Sequence, residues 1–348
     1  MKSNIVIKKY PEEHYYTFFN QNTGFFARIE ENGHEEPFWS IHGPELLDVS
    51  ITNWCDRSCL ICYRNSNING KHIVVEDYER ILKQAKAADV FQIALGGGNP
   101  NQHPNFIKLL ELTRSKYDII PSYTTNGRGL TKDILKASKE YCGAVAVSAY
   151  NPFCEMKKAI ELLGKYDIKT NIHFLLSSES VQVAIDWLNC PPKFLKGINA
   201  IIFLNYKPVG NNKNYKLLLS KSNKLQEFFE LASKSEYSFK IGFDSCSVSG
   251  IVKYMDVESK YYEACEAGRF SAFISEDMKM YPCSFMEESF EGYDLRNKHI
   301  KDIWINGKSF IQTRNELKNA TCFDCKFNTV CMGGCPIIKD INLCNENT

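Results

Sequence analysis

The sequence predicts an α/β fold followed by a smaller region that is held together by cysteine ligands. Apolar runs of strand length alternate with amphipathic helical runs through most of the first 240 residues, which is typical of parallel strands with crossover helices. After about Phe243 the long helical patterns disappear and cysteines crowd the sequence. A chain of 348 residues is long enough for about two domains. The expected divisions are an N-terminal segment 1–45, an α/β domain 46–240 and a cysteine-rich domain 241–348.

Composition excludes several classes of protein. Hydrophobic residues make up 44% and charged residues 24%, as in ordinary globular proteins, and no apolar run approaches the length of a membrane span. The net charge of +1 provides no field for nucleic acid or anionic lipid. Lys8 and Lys9 interrupt the N-terminal apolar stretch, so a signal peptide is not expected and the prediction is a cytoplasmic protein. In that compartment, 14 cysteines favour metal or cluster ligation over disulfides.

The α/β region contains six predicted strands, and a helical pattern follows each of them. Strands are expected at residues 46–52, 91–95, 119–123, 144–149, 170–176 and 200–205. Helices are expected around residues 75–85, 105–112, 132–141, 154–163, 181–188 and 225–233. Periodicity alone leaves open both a partial barrel and an open doubly wound sheet. Near the N-terminus, alternating residues at 15–19 and 25–29 predict a short hairpin packed on the barrel edge.

Cys55, Cys59 and Cys62 directly follow the first predicted strand. In either parallel fold, the carboxyl ends of the strands form the active-site face. Three thiolates could hold three irons of a [4Fe–4S] cluster and leave the fourth iron open, whereas a zinc site normally has a fourth protein ligand. A partial zinc site is the alternative. The CX3CX2C spacing at this place resembles the radical SAM superfamily, and this resemblance implies a partial (β/α)6 TIM-like barrel.

Further segments follow in the order that the resemblance implies, and the residues expected to bind S-adenosylmethionine (SAM) come from four strand ends. They are Gly96, Gly97, Gly98, Asn99, Thr125, Asn126, Ser148 and Tyr206. The glycines match the stretch that contacts the SAM amine, but the family usually has Glu where this chain has Asn99. A tight turn would also explain the glycines, and cap or turn positions would explain the polar residues.

A second set of cysteines occupies the C-terminal region. Cys322, Cys325, Cys331 and Cys335 form CX2CX5CX3C, which by itself would favour a zinc knuckle. Together with Cys265, Cys283 and Cys344, they resemble the seven-cysteine SPASM extension of radical SAM enzymes, although Met278 replaces a family glycine.

The SPASM resemblance implies two auxiliary [4Fe–4S] clusters. Cys265, Cys283 and Cys335 are the expected ligands of the first, with Cys246 as a candidate fourth ligand. The second cluster is assigned to Cys322, Cys325, Cys331 and Cys344. If Cys246 is instead a buried free thiol, one iron of the first cluster is open to a substrate sulfur or nitrogen.

Three cysteines remain outside these sets. Cys142 and Cys190 lie at the ends of helical runs and are expected to be packing thiols. Cys154 should lie near the active-site face at a helix N-terminus, where a lowered thiol pKa favours the thiolate. It is a candidate hydrogen-atom donor to a substrate radical, and the alternative is a small residue in the first helical turn.

The resemblance implies SAM and three [4Fe–4S] clusters as cofactors, and an enzyme that cleaves SAM reductively to a 5′-deoxyadenosyl radical. The expected reaction is oxidative modification, such as a cross-link, of a ribosomally made precursor peptide. The N-terminal segment is too short for a winged-helix recognition domain, so a separate recognition protein is a possible partner. A flavodoxin or ferredoxin is the expected electron donor.

Three alternatives to peptide cross-linking stay open at this point. One is radical oxidation of a small molecule. A second is formylglycine formation as in sulfatase maturases, against which Ser284 stands where those enzymes have a catalytic Asp. The third is a non-catalytic iron–sulfur or zinc scaffold.

Overall fold

The structure is a computed structural model, and it describes residues 4–211, 213–234, 236–320, 322 and 325–344. Residues 1–3 and 345–348 of the two predicted terminal regions lie outside the described residues. In the described part of the chain, no helix is both long enough and apolar enough to cross a membrane.

The described strands form two sheets. A three-stranded antiparallel sheet has the order β1-β2-β3, and a ten-stranded sheet has the order β10-β9-β8-β7-β6-β5-β4-β11-β12-β13. The strands are β1 (Ile5–Tyr10), β2 (Tyr15–Asn20), β3 (Phe26–Glu30), β4 (Leu46–Thr52), β5 (Gln92–Gly97), β6 (Ile120–Thr125), β7 (Val145–Ser148), β8 (Thr170–Leu176), β9 (Ala200–Asn205), β10 (Lys240–Phe243), β11 (Ser271–Ile274), β12 (Lys279–Tyr281) and β13 (Tyr293–Asp294).

The helices follow the strands in the expected alternation as far as α6. Their bounds are α1 (Val75–Ala87), α2 (Phe106–Glu111), α3 (Lys132–Tyr141), α4 (Cys154–Lys165), α5 (Val181–Asn189), α6 (Leu225–Ala232), α7 (Val248–Tyr254), α8 (Ile300–Asn306), α9 (Lys308–Lys318) and α10 (Asn328–Cys331). The α4 helix begins at Cys154, as predicted, and ends two residues later than predicted.

Burial along each parallel strand decides between the two folds that periodicity left open. In β4, the side chains of Leu47, Val49 and Ile51 are buried in the main core, which also contains Tyr78 and Leu82 of α1. Alternate residues of β5, β6, β8 and β9 are only partly buried. Because a doubly wound sheet would be covered on both faces, this pattern indicates a partial barrel with helices outside and an open inner face.

The parallel sheet is larger than the six predicted strands. A seventh strand, β10, pairs in parallel with β9, and it crosses the expected domain boundary after residue 240. On the other side, β11 pairs in parallel with β4, with Phe273 opposite Asp48. The sequence analysis predicted neither of these four-residue strands. The C-terminal region is therefore joined to the barrel by continuous strand pairing.

Two expectations about the flanking regions are wrong. Long helices do not disappear after Phe243, because α9 extends over 11 residues; its mostly polar sequence gave little periodic signal. The N-terminal hairpin is a three-stranded sheet, and it does not pack on the barrel edge. Its Phe19 packs with Phe91 and Ile120, which lie at the N-terminal ends of β5 and β6, so the sheet lies under the barrel.

Arg28 joins the three parts of the molecule. Its guanidinium donates to the Glu45 carboxylate from Nε at 3.0 Å and from Nη2 at 2.7 Å, directly before β4. It also donates to Glu263 at 2.8 Å and lies 3.4 Å from the centroid of the Phe270 ring. With 6% of its side chain exposed, Arg28 is a buried cation, and its loss would leave the buried Glu45 carboxylate without its partner.

We expect Arg28→Met to lower the free energy of unfolding by about 3 kcal/mol or more, since removing one member of a buried ion pair strands the other charge. Chemical denaturation followed by circular dichroism measures this change. Arg80→Met is the matched control on the exposed face of α1, and it should change stability by less than about 0.5 kcal/mol. Equal effects of the two substitutions would contradict the role given to Arg28.

Candidate active site

The three cysteines of the first set lie in the loop that leaves β4 at the carboxyl end of the barrel. Cys55 is buried, and its backbone N–H donates to the Asn67 carbonyl at 3.0 Å. Burial raises the pKa of Cys59, and the neighbouring Cys55 and Cys62 raise it further. The three thiols therefore lie within electrostatic range of one another, as common ligands of one cluster require.

The glycine segment after β5 packs directly against this cysteine loop. The Gly98 N–H donates to the Thr52 carbonyl at 2.7 Å, and a Cβ on Gly98 would lie 2.0 Å from the Trp54 carbonyl oxygen. Gly98 is therefore required by close backbone packing, and Gly97 meets the Thr52 carbonyl in the same way. Gly96 differs, because a Cβ there would meet no atom within 4 Å. Of the three predicted SAM contacts in this segment, Gly96 faces open space.

Asn99, Thr125 and Asn126 come together, but mainly to bind one another. The fully buried Asn99 accepts at Oδ1 from Thr125 Oγ1 and from the Asn126 N–H, both at 3.1 Å. Its amide donates to Gln102 at 2.8 Å. The Asn126 amide donates to Asp56 at 2.9 Å and lies 3.7 Å from Cys55 Sγ. The structure thus gives Asn99 a bracing role between two strand ends and places Asn126 beside the Cys55 thiol.

The other predicted contacts are more widely distributed. Ser148 is partly exposed at the end of β7 and hydrogen bonds to Tyr150. Tyr206 is buried after β9, and its hydroxyl accepts from the Asn214 N–H at 3.3 Å. Cys154 is exposed at the first residue of α4. Its proposed role as a hydrogen donor stays a prediction.

An ion-pair network that the sequence did not predict anchors the cysteine loop. Glu155 accepts from Arg128 Nε at 2.6 Å and also pairs with Arg57. The Arg57 guanidinium lies 4.5 Å from the Tyr150 ring centroid, and Arg128 lies 3.8 Å from Asp56. Both Asp56 and Arg57 lie between Cys55 and Cys59, so this network holds the loop against the ends of β6 and β7. Oppositely charged residues of this network are about 70 and about 100 positions apart in the chain. No local sequence pattern therefore predicts their pairing.

Four thiols of the C-terminal region form one group at the side of the barrel. The Cys246 thiol hydrogen bonds to Cys335, and this bond together with burial raises the pKa of Cys246. Burial and then Cys246 raise the pKa of Cys265, and burial and then Cys246 raise the pKa of Cys283 to about 12. The structure therefore brings the candidate fourth ligand Cys246 into the predicted set.

The remaining four thiols line one cavity of about 210 Å3, and they are Cys322, Cys325, Cys331 and Cys344. Burial raises the pKa of Cys331 to about 11, and the neighbouring Cys344 raises it further. Val252 and Phe327 complete the walls of this cavity. A thiol-lined cavity with apolar walls fits the donor set of an iron–sulfur cluster.

No group of three Cys, His, Asp or Glu side chains in the described ranges converges so as to hold a single metal ion. The thiolates of a [4Fe–4S] cluster each bind a different iron. Of the cysteines outside the three sets, Cys142 is half-buried against the core, as expected. Cys190 is exposed, so its prediction as a packing thiol is wrong. It lies at the C-cap of α5, next to the exposed Asn189.

Comparison with known proteins agrees with this arrangement. The profile of the radical SAM superfamily matches residues 49–182, and the SPASM iron–sulfur cluster-binding domain matches residues 265–326. The mycofactocin maturase MftC of Mycobacterium tuberculosis is 19% identical over 331 residues, which cover 86% of this chain and 80% of MftC.

Solved structures share the fold at low sequence identity. Streptococcus suis SuiB bound to its precursor peptide SuiA has a TM-score of 0.75 at 16% identity, covering 99% of both chains. The enzyme anSMEcpe with bound AdoMet has a TM-score of 0.64 at 19% identity, covering 85% of this chain and 90% of that one. The two matched profiles, in the order in which the two thiol regions occur, show that this chain belongs to the radical SAM superfamily, as an enzyme that carries a SPASM domain and is related to peptide-modifying maturases.

Proposed function

We propose that this protein uses SAM and three [4Fe–4S] clusters to modify a ribosomally made peptide oxidatively, for example by a cross-link. The observation that carries this proposal is the position of the Cys55, Cys59 and Cys62 loop at the carboxyl end of the barrel, in a chain that also forms two further groups of four thiols. When bound, SAM and its cluster supply a 5′-deoxyadenosyl radical that abstracts hydrogen from substrate. Everything else in this mechanism is positioning and exclusion of water by the chain.

The turn after β9 fixes the cysteine loop from the side opposite the glycine segment. A Cβ on Gly210, which has φ of +78°, would lie 2.2 Å from the Cys62 carbonyl oxygen. The adjacent Asn211 N–H donates to that same carbonyl at 3.1 Å, and its side-chain amide donates to the Cys59 carbonyl at 3.1 Å. The backbone of two predicted ligands is thus held by this one turn.

Arg64 fixes the cysteine loop relative to the C-terminal region. Its guanidinium is 2% exposed and donates to Glu276 at 2.6 Å, and it also pairs with Glu287. Glu276 in turn accepts from Ser50 of β4 at 2.6 Å. Since Arg64 follows Cys62 by two residues and Glu287 follows Cys283 by four, these ion pairs set the position of the SAM-cluster loop relative to the first auxiliary ligands.

A peptide substrate is supported by the relatives rather than by a residue of this chain. MftC is named a maturase, and SuiB is similar over nearly the whole chain in a complex with its precursor peptide. The partly exposed inner face of the sheet provides the space for a peptide segment. A separate recognition protein and a flavodoxin or ferredoxin as electron donor remain part of the proposal.

Replacing Cys55, Cys59 and Cys62 together by Ala should remove about four of about twelve irons and abolish 5′-deoxyadenosine formation from SAM under dithionite. Iron, sulfide and zinc analysis of anaerobically prepared protein, with chromatography of the SAM products, measures both effects. One or two zinc ions with little iron in the reconstituted parent protein would rule out the radical mechanism.

Cys246→Ala should lower the iron content or alter the electron paramagnetic resonance of one reduced cluster, because it removes the fourth thiol of the first auxiliary set. Cys190→Ala removes an exposed thiol outside all three sets and serves as the matched control. A Cys246→Ala spectrum identical to that of the control would exclude Cys246 as a ligand.

Gly210→Ala should reduce 5′-deoxyadenosine formation about tenfold or more, since the added methyl group displaces the Cys62 backbone and misplaces the reacting centre. Gly164→Ala is the control, because nothing lies within 4 Å of a Cβ at Gly164 in α4. That control should gain about 0.5 kcal/mol of stability and keep full activity. Unchanged SAM cleavage by Gly210→Ala would contradict the positioning role of this turn.

A further inference from the structure

The inner face of the barrel is lined mainly by small or neutral side chains. Across β4 to β9 the ionisable inner-face residues are Asp48 and His173. Ala94 is the register partner of Asp48, Ser122 is the next position across the sheet, and Thr124 hydrogen bonds to His173. Burial lowers the pKa of His173 to about 4, so its imidazole is neutral near pH 7. Asp48 therefore carries the only formal charge on this surface of the described strands.

The Asp48 carboxylate is exposed on the inner face and has no partner among the residues that the structure describes. It is exposed, while its chain neighbours Leu47 and Val49 are fully buried, so it points away from the helices. In the described part of the chain it makes no hydrogen bond or ion pair. Partial desolvation inside the barrel raises the pKa of Asp48 to about 6, with no basic group contributing. The carboxylate is still mainly ionised at neutral pH, and it therefore offers an accessible negative charge to a cation.

The nearby cations are already paired. Arg64, above Phe273, is matched by Glu276 and Glu287, and Lys207 is matched by Asp244. A positive charge that pairs with Asp48 must therefore come from a group other than Arg64 and Lys207.

An aromatic ring lies beside this carboxylate. Phe273 of β11 is the register partner of Asp48 in the parallel pairing with β4, so the two side chains leave the same face of the sheet. The Phe273 ring also lies 6.1 Å from the Tyr281 ring, centroid to centroid. Aromatic faces and a carboxylate are the groups that attract an ammonium or guanidinium ion.

We propose that Asp48, with Phe273 beside it, forms a binding site for a lysine or arginine side chain of the peptide substrate. This inference rests on the proposed function and names the substrate chemistry. Asp48 lies four residues before the end of β4 at Thr52, inside the barrel. A peptide segment that enters the barrel would therefore present its charge to Asp48 through a long side chain, which selects lysine and arginine over short cations.

The test uses capped pentapeptides, acetyl-Gly-Gly-X-Gly-Gly-amide, in which X is Lys, Arg, norleucine or citrulline. Equilibrium dialysis against the anaerobically loaded protein, with peptides quantified by mass spectrometry, gives the ratio of affinities. Lys and Arg peptides should bind about tenfold more tightly than their neutral counterparts. Asp48→Asn should abolish this preference, and Asp48→Glu should restore most of it.

Asp167→Asn is the matched control, because that carboxylate is 97% exposed and pairs with Lys139 at the start of β8, at the other end of the barrel. It should keep the preference for Lys and Arg. Absence of the preference in the parent protein, or its survival in Asp48→Asn, would overturn the proposal. If Asp48→Asn fails to fold, the parent peptide series and Asp48→Glu still decide it.

Measuring 5′-deoxyadenosine in the same preparations separates this inference from the proposed function. A parent protein that cleaves SAM without preferring cationic peptides would refute only the Asp48 site. One that prefers them but does not cleave SAM would refute the radical mechanism and leave the site in place.

Discussion

The cysteine loop after β4 is the constraint on which the rest of the structure depends. Three thiols must be presented above an open barrel, yet a loop at the surface of a protein is ordinarily its most mobile part. Here the loop backbone touches the backbone of two other loops so closely that Gly98 and Gly210 have no room for a side chain. The ion pairs of Glu155 with Arg57 and Arg128 add a third attachment. Fixation by backbone packing leaves the thiol side chains free to serve as ligands.

Strand pairing explains how the C-terminal thiols reach the same end of the molecule. Because β11 pairs in parallel with β4, the segments that flank it arrive beside the first cysteine loop. Arg64 completes this connection through Glu276 and Glu287. In the β11–β12 turn, Met278 keeps a positive φ of 65° where the family has glycine. Its side chain is fully buried, so core packing offsets the strain of this backbone conformation. The two domains expected from the sequence therefore share one sheet.

Some elements were predictable because their signal is local. The strands Leu46–Thr52, Thr170–Leu176 and Ala200–Asn205 have the bounds expected from their apolar runs. The four-residue strands β10 and β11 were missed, whereas the equally short β7 was predicted because its residues belong to a longer apolar run. The position of the N-terminal sheet was predicted wrongly, because its apolar residues do not show which part of the barrel they pack against. Only the contact of Phe19 with Phe91 and Ile120 shows that it lies under the barrel.

The sequence by itself determined the family, the parallel α/β fold and the cysteine sets, because ligand spacing and strand order are properties of the chain. It also placed Asn99 and Asn126 at strand ends. It could not predict that the Asn99 side chain would accept hydrogen bonds from Thr125 and Asn126. The tertiary structure alone decided that Cys246 joins Cys335, that Arg64 joins two regions, and that Asp48 stands on the inner face without a partner among the described residues. These are contacts between residues far apart in the chain, and packing rather than local periodicity sets them.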